Sequence, residues 1–356
     1  MERNLFGEPI FENKNEKVVL SYIGSKRPIL DFIVSTVWNT GSGNANLSFC
    51  DLFGGTHIVG KTFKELGYDV ISNDLMSYSY VIGKYLIENN EKTIELNEKI
   101  KALVSELNNL SGIHGIISEN FCPIGKSGRM FFTNENGMLC DAMRQKIEYW
   151  KDSKVLTQNE YFWFLSSLIS NIDRLANTTS VYGAYLKKFK PSAIKPLKFS
   201  LLPIAKGPLG RVYQRNANEL IKEISGDILY LDPPYNNRQY PQNYHVLETI
   251  ALCDNHPHTG ISGQRSEPNK KSDYCKKSTA ENALSDILAN AKFKHVYMSY
   301  STEGIMSVEA IRTLFEKHFG KCFIFERNHR KFKSNMQEVL IKEPLKELIF
   351  YGKKDC

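Results

Sequence analysis

The chain has 356 residues, 42% hydrophobic and 24% charged, with a formal net charge of +7 at pH 7. This is globular composition, with material for one large domain or two, and no apolar run reaches the ~20 residues needed to cross a bilayer. The positive sign suits a polyanionic partner. Seven scattered cysteines without a C-x-x-C pair, and a polar amino end without a signal sequence, lead us to expect a reducing, cytoplasmic compartment.

Residues 1–17 are polar and charged and are expected to form a loose arm. In Tyr22-Ile23-Gly24-Ser25-Lys26-Arg27-Pro28, a glycine and two cations precede a helix expected over 29–38. Ile29, Leu30, Ile33, Val34 and Val37 recur there at helical spacing. Leu47-Ser48-Phe49-Cys50-Asp51-Leu52-Phe53 reads as a buried strand. The Gly54-Gly55 turn and a helix over 56–66 follow, which is how a nucleotide-binding βαβ unit opens. The glycine order is not G-x-G-x-x-G, which argues against a dinucleotide phosphate loop. A second strand, Tyr68-Asp69-Val70-Ile71-Ser72, ends at Asn73-Asp74. Asp74 stands 23 positions after Asp51, near the ~20-residue offset at which an acid bonds a ribose hydroxyl; a helix N-cap is the other reading. Asp51 before the glycine turn would repel a pyrophosphate and attract an ammonium or sulfonium. That favours S-adenosylmethionine over NAD.

From residue 80 the pattern turns helical. Val81, Ile82, Tyr85 and Leu86, then Ile94, Leu96, Ile100, Leu103 and Leu107, mark packing faces among Lys and Glu. Residues 118–137 carry Pro123, Gly125, Lys126, Gly128, Arg129 and Phe131-Phe132, which predicts an ordered loop or short hairpin. Helices are expected again over 140–150 and 160–174.

Ile228-Leu229-Tyr230-Leu231 shows no polar alternation, as in a strand buried on both faces. Asp232-Pro233-Pro234-Tyr235 ends it. Neither proline can donate to a ladder. The rigid pair holds a carboxylate and an aromatic ring at fixed separation at the carboxyl end of a strand, where open α/β sheets bind ligands. The Asp232 carboxylate and the Pro233 carbonyl can accept both hydrogens of one exocyclic amino group while Tyr235 stacks on its ring. Such a clasp stabilises charge that appears only in the transition state and needs no general base. A plain strand end with a turn is the bland alternative.

A helix is expected over 243–251. Residues 254–277 then hold Arg265, Lys270, Lys271, Lys276 and Lys277 without an apolar period. This is either a disordered surface loop or a basic flap over backbone phosphates. Cys253, His256, His258 and Cys275 are zinc-ligand types, but their spacing is not a four-ligand pattern, and no metal is expected. His295-Val296-Tyr297-Met298-Ser299-Tyr300, Cys322-Phe323-Ile324-Phe325-Glu326 and Glu347-Leu348-Ile349-Phe350-Tyr351 read as further strands. The basic cluster His329-Arg330-Lys331-Phe332-Lys333 is compatible with phosphate contact or with a solvated turn.

With these residues in view, the chain resembles the N6-adenine DNA methyltransferases of the Dam-like and restriction–modification type, the D12 class, in the motif order of their α group. Tyr22-Ile23-Gly24-Ser25-Lys26 is similar to the amino-terminal motif, Asp51-Leu52-Phe53-Gly54-Gly55 to the cofactor loop, Asp74 to the ribose acid, and Asp232-Pro233-Pro234-Tyr235 to the catalytic motif. Asn236-Asn237-Arg238-Gln239-Tyr240, Asn243-Tyr244-His245, Asn177-Thr178-Thr179, Tyr182-Gly183-Ala184-Tyr185 and Ser299-Tyr300-Ser301 with Gly304 also follow relatives. The likeness runs over residues 21–352. In two places the chain departs: the usual G-x-G loop is Gly54-Gly55, and Asn216, sixteen residues before Asp232, stands where many relatives carry an acid. Asn can still accept a hydrogen bond there through its carbonyl oxygen.

The resemblance implies an α/β, Rossmann-like S-adenosylmethionine-dependent core over 1–80 and 205–356, with a mostly parallel twisted sheet. It also implies an inserted, mainly helical DNA target-recognition region over 81–204. The implied reaction is methyl transfer to N6 of an adenine flipped out of duplex DNA, with a cognate restriction endonuclease as functional partner. Asp232, Pro233 and Tyr235 would be catalytic. Tyr22, Lys26, Asp51, Phe53, Gly54, Gly55, Asp74, Asn216 and Asp232 would frame the cofactor. Lys126, Arg129, Asn134, Arg144, Arg238, Tyr240, Arg265, Arg330 and Lys331 are candidates for meeting DNA. A methyl acceptor in RNA or protein, and a non-catalytic DNA-binding relative, remain open alternatives on sequence alone.

Overall fold

Seven strands make one sheet in the computed structural model, which describes residues 20–43, 46–266, 270–328 and 346–354. They are β1 (Ser48–Asp51), β2 (Asp69–Asn73), β3 (Arg211–Tyr213), β4 (Ser225–Leu231), β5 (Lys292–Ser301), β6 (Phe323–Asn328) and β7 (Lys346–Lys353). Their order across the sheet is β3-β2-β1-β4-β5-β7-β6. The first five are mutually parallel, and β7 runs antiparallel between β5 and β6. The strand order reverses between β1 and β4, so the chain leaves these two neighbours toward opposite sides and opens a crevice at their carboxyl ends.

Successive side chains of a strand point to opposite faces, and both faces are covered. Phe49, Ile228, Tyr230 and Tyr297 join one apolar cluster, while Cys50, Leu229, Leu231, Val296 and Met298 join the other. The first cluster also takes in the helices Leu30–Val37, Ser77–Ile87, Glu98–Asn108, Asn134–Asp152 and Gln158–Asp173, so residues 81–204 share one continuous core with the sheet. These helices start where cap chemistry puts them. Asn97 and Thr133 accept from backbone N–H groups, and Thr157 with Glu160 forms a capping box. The second cluster rests on Lys277–Asn290 and Val308–Phe319. Among the described residues no helix is long and apolar enough to cross a membrane.

Several expectations change. Within 118–137 the loop alternative holds over 122–133 and the hairpin does not, while the ends belong to the helices Ile116–Phe121 and Asn134–Asp152. Where described, 254–277 is ordered, with a small ribbon pairing His258–Thr259 to Gln264–Arg265 and a helical turn at Asp273–Cys275. Three candidates for DNA contact are corrected, because their guanidinium groups are buried and engaged by protein. Arg129 donates to the carbonyls of Asn120, Gly260 and Ile261 at 2.8–3.0 Å. Arg144 donates to the carbonyls of Ile250 and Ala251 at 2.8 and 3.1 Å and pairs with Glu148. Arg265 makes a bidentate pair with Asp254 at 2.6 and 2.9 Å. Lys126 and Arg238 are exposed, Asn134 and Tyr240 are half-buried, and Arg330 and Lys331 lie outside the described residues.

Arg144→Ala would strip a charged donor from two carbonyls at the end of the helix His245–Leu252. The expected result is a loss of about 1–3 kcal/mol in urea unfolding, with DNA affinity unchanged at temperatures where the variant is folded.

Candidate active site

The carboxyl ends of β1 and β4 lie side by side, with Asp51 paired to Tyr230. Asp232 therefore emerges beside the Gly54-Gly55 turn. The two stretches wall a common cleft of about 1100 Å³, its open mouth included, together with Tyr22, Lys26, Asp74 and Asn216. Every residue expected to frame the cofactor lines this cleft, as do Pro233, Tyr235 and Tyr240.

The floor is built by backbone. Gly55 has φ +54°, a left-handed conformation that suits glycine, and a Cβ there would come within 3.1 Å of the Tyr22 ring. Its N–H donates to Asp74 at 2.8 Å, and the other oxygen of Asp74 accepts from Met76 N–H at 2.9 Å. Asp74 lines the cleft and organises the turn before the helix Ser77–Ile87; the N-cap residue of that helix is Met76, which corrects the N-cap reading of Asp74. Asp51 accepts from Gly60 N–H at 3.1 Å, at the start of the helix Ile58–Glu65. Behind the turn lies His57, which sequence analysis did not single out. Its ring bridges Ser72 Oγ at 2.7 Å and the Ser79 carbonyl at 2.9 Å, and burial lowers its pKa to about 4, so it is neutral.

The stretch Asp232–Tyr235 is pinned on several sides. The Tyr235 carbonyl accepts from Ile305 N–H at 3.0 Å, and its ring meets Tyr300 edge-on at 6.1 Å. Gly24, at φ +76°, lets the Tyr235 hydroxyl approach where a Cβ would lie 3.3 Å away. Lys26, which also lines the cleft, lies against Asp232. Its ammonium is 3.0 Å from Asp232 Oδ1 and 5.4 Å from the centre of the Tyr235 ring. Tyr22 stacks on Tyr244 at 4.7 Å and on Tyr240 at 5.6 Å, which makes an aromatic slab beside the clasp.

Residues in and around the cleft hold it together. Asp173, at the end of Gln158–Asp173, accepts from Ser21 N–H at 2.9 Å and from the Tyr182 hydroxyl at 2.7 Å. Asn177 donates to the Met130 and Leu186 carbonyls. Asn216 is exposed, and its side-chain oxygen accepts from Asn218 N–H at 2.9 Å while lining the cleft.

Residues 270–274, expected to be either part of a disordered loop or part of a basic flap beside the site, form one wall of the cleft. Gln239 and Ser272 exchange two hydrogen bonds, Tyr274 meets Phe53 edge-on at 5.2 Å, and Lys270 pairs with the buried Glu248. Their place beside Phe53 and Gln239 is set by tertiary position.

Electrostatics select the ligand. Burial raises Asp51 to about 7, Asp232 to about 6, and Asp74 above its ordinary value. Three carboxylates with desolvated charge line the cleft, and the Lys26 ammonium lies against one of them. A cationic ligand relieves that imbalance. The residues present therefore fit S-adenosylmethionine, whose sulfonium and ammonium are positive, and they would disfavour a pyrophosphate.

Comparison with known proteins agrees. The profile of the D12 class N6 adenine-specific DNA methyltransferases matches residues 22–314. The chain is 40% identical over 321 residues to the Type II methyltransferase M.NlaIII of Neisseria lactamica, covering 90% of this chain and 94% of that one. It is 36% identical over 346 residues to the Type II methyltransferase M.FokI of Planomicrobium okeanokoites, covering 94% of this chain but 53% of that longer one. Against the Type II methyltransferase M.CviAII of Paramecium bursaria Chlorella virus 1 the identity is 34% over 325 residues, with 90% and 94% covered.

The Asp51 carboxylate is the form that attracts a cation, and it is protonated as pH falls through about 7. Calorimetric titration with S-adenosylmethionine should show affinity weakening below that pH, toward about tenfold per unit for a single proton. Asp51→Asn should bind more weakly and lose the slope. A flat profile in the unaltered protein would count against Asp51.

Proposed function

The chain belongs to the D12 class N6 adenine-specific DNA methyltransferases, and from that premise we propose how its cleft performs the reaction and on what substrate. When bound, S-adenosylmethionine supplies a methyl group made electrophilic by the neighbouring sulfonium. The chain supplies everything else: it binds, orients and stabilises charge.

The observation that carries the proposal is the shared cleft of Asp232–Tyr235 and the Gly54-Gly55 turn. An adenine paired in a duplex hides its N6, so the base leaves the stack before it can reach this cleft. Tyr235 stacks on the extruded ring. The Asp232 carboxylate and the Pro233 carbonyl accept the two N6 hydrogens, which draws the nitrogen lone pair out of the ring. Positive charge develops on N6 in the transition state, and the fixed acceptors of this clasp stabilise it most at that point. Lys26, Asp51, Phe53, Gly54, Gly55, Asp74 and Asn216 frame the cofactor.

Target reading is assigned to residues 81–204, with Lys126 and Arg238 as exposed cations toward the duplex and Tyr240 at the mouth of the cleft. The similarity to named Type II methyltransferases supports a site-specific enzyme that protects DNA from a cognate endonuclease. The intact tetrapeptide argues against a non-catalytic role. The Asp at its first position and the large insert favour DNA over RNA or protein as acceptor.

Asp232→Ala should abolish methyl transfer while leaving S-adenosylmethionine binding largely intact; substantial methylation by the folded variant would refute the assignment. Tyr235→Ala should lose roughly 1–3 kcal/mol of base stacking, read as weaker binding of duplex carrying the target adenine. Sequencing of modified genomic DNA from expressing cells should show N6-methyladenine confined to one short motif. Methylation without sequence preference would overturn the site-specific role.

A further inference from the structure

Lys26 lies between two carboxylates. Its ammonium is 3.0 Å from Asp232 Oδ1 and 3.8 Å from Glu347 Oε2. Both oxygens are sealed from solvent, and among the described residues neither has a well-directed hydrogen bond. Topology explains how Glu347 reaches the site. It opens β7, the antiparallel strand, opposite Ser301 of β5 and Arg327 of β6. Antiparallel insertion brings the amino end of β7 to the carboxyl ends of β4 and β5, where Asp232 stands.

Two buried carboxylates share one ammonium, so the trio carries one uncompensated negative charge, and the target amino group brings donors of its own. We propose that Glu347 is a positioning residue for methyl transfer: it takes the Lys26 ammonium when the adenine amino group occupies Asp232 Oδ1. The inference rests on the assignment of Asp232 as the amino acceptor. An ammonium left on Asp232 would weaken that oxygen as an acceptor. An ammonium displaced without Glu347 would be buried and unpaired. With Glu347 present, the ammonium moves a short way and stays paired throughout.

The other groups facing this trio are compatible with the exchange. The Tyr235 ring remains beneath the ammonium. Burial pulls the Lys26 ammonium down, but Asp232, Glu347 and Tyr235 hold it above its ordinary value, so it stays charged. Burial raises Asp232 to about 6, Lys26 lowers it, and Glu347 raises it further. Tyr230 feels Asp232, Asp51 and Glu347, and Tyr240 feels Asp232; burial holds both phenols well above their ordinary range, and they stay neutral.

The test compares Glu347→Gln, Glu347→Leu and Asp232→Ala in the full chain, with S-adenosylmethionine and duplex DNA under single-turnover conditions across a pH series, whose acid limb reports protonation of Asp232. Glu347→Gln keeps an acceptor but removes the charge that raises Asp232. Its plateau rate should fall roughly tenfold, and the acid limb should move by about one unit toward lower pH. Glu347→Leu should be slower still. In the unaltered protein, DNA with purine at the target position, which lacks the amino group, should bind more weakly than DNA with adenine. Glu347→Leu should narrow that gap. If Glu347→Leu fails to fold, the Gln variant decides. A lower melting midpoint with an unmoved acid limb would mean a merely structural role and overturn the proposal. So would wild-type rate and limb in both Glu347 variants beside an inactive Asp232→Ala. An active Asp232→Ala enzyme would overturn the underlying assignment, and the proposal with it.

Discussion

Parallel pairing of β1 with β4 is the constraint from which the rest of the site follows. The register sets Asp51 opposite Tyr230, so the two chains leave the sheet as neighbours. One continues into two glycines, which let a helix start close by. The other continues into two prolines, which keep it from turning back. A backbone that can approach a ligand and a backbone that cannot bend thus face each other across a single cleft. Their side chains inherit that relation without further adjustment.

Burial then converts geometry into selectivity. Asp51 and Asp232 sit at the edge of a core covered on both faces, where a carboxylate is poorly solvated, and their pKa values rise for that reason. A cleft that holds unsolvated negative charge discriminates by sign before it discriminates by shape. It accepts a sulfonium and resists a phosphate, although strand, glycine turn and helix follow one another here as they do in dinucleotide-binding folds. The chemistry of the ligand is thus decided by a residue at a strand end rather than by the architecture around it.

Much of this was legible in the sequence because it is local. Apolar runs without alternation marked β1, β4 and β5, and the residues at their carboxyl ends were chemically distinctive. What escaped was either weak or non-local. β3 is three residues long, Arg211–Tyr213, and too short to show a period. The helix Lys277–Asn290 does show one, in Ala280, Leu284, Ile287 and Leu288; it went unread beside the basic stretch before it. Arg129, Arg144 and Arg265 were misjudged because a guanidinium that braces carbonyls or pairs with a carboxylate looks, in sequence, like one that meets a nucleic acid. Glu347 could not be found from its neighbours at all, since only the antiparallel course of β7 brings it to Lys26.

Segments far apart in the chain are joined by a single run of polar contacts, which explains why the cleft is one object. Lys270 pairs with Glu248, and Glu248 accepts from the N–H groups of Ser77 and Tyr78 at the start of Ser77–Ile87. One residue earlier, Met76 N–H donates to Asp74, which in turn holds the Gly55 N–H. The wall at 270–274, the start of a helix and the cofactor turn are therefore linked through two carboxylates. Each of those carboxylates accepts backbone N–H groups at the positive end of the same helix, where negative charge is favoured. A carboxylate is suited to this place because a neutral side chain would leave the helix start and the ammonium of Lys270 less well satisfied. The same charge that orders the turn is then present in the cleft when a cationic ligand arrives.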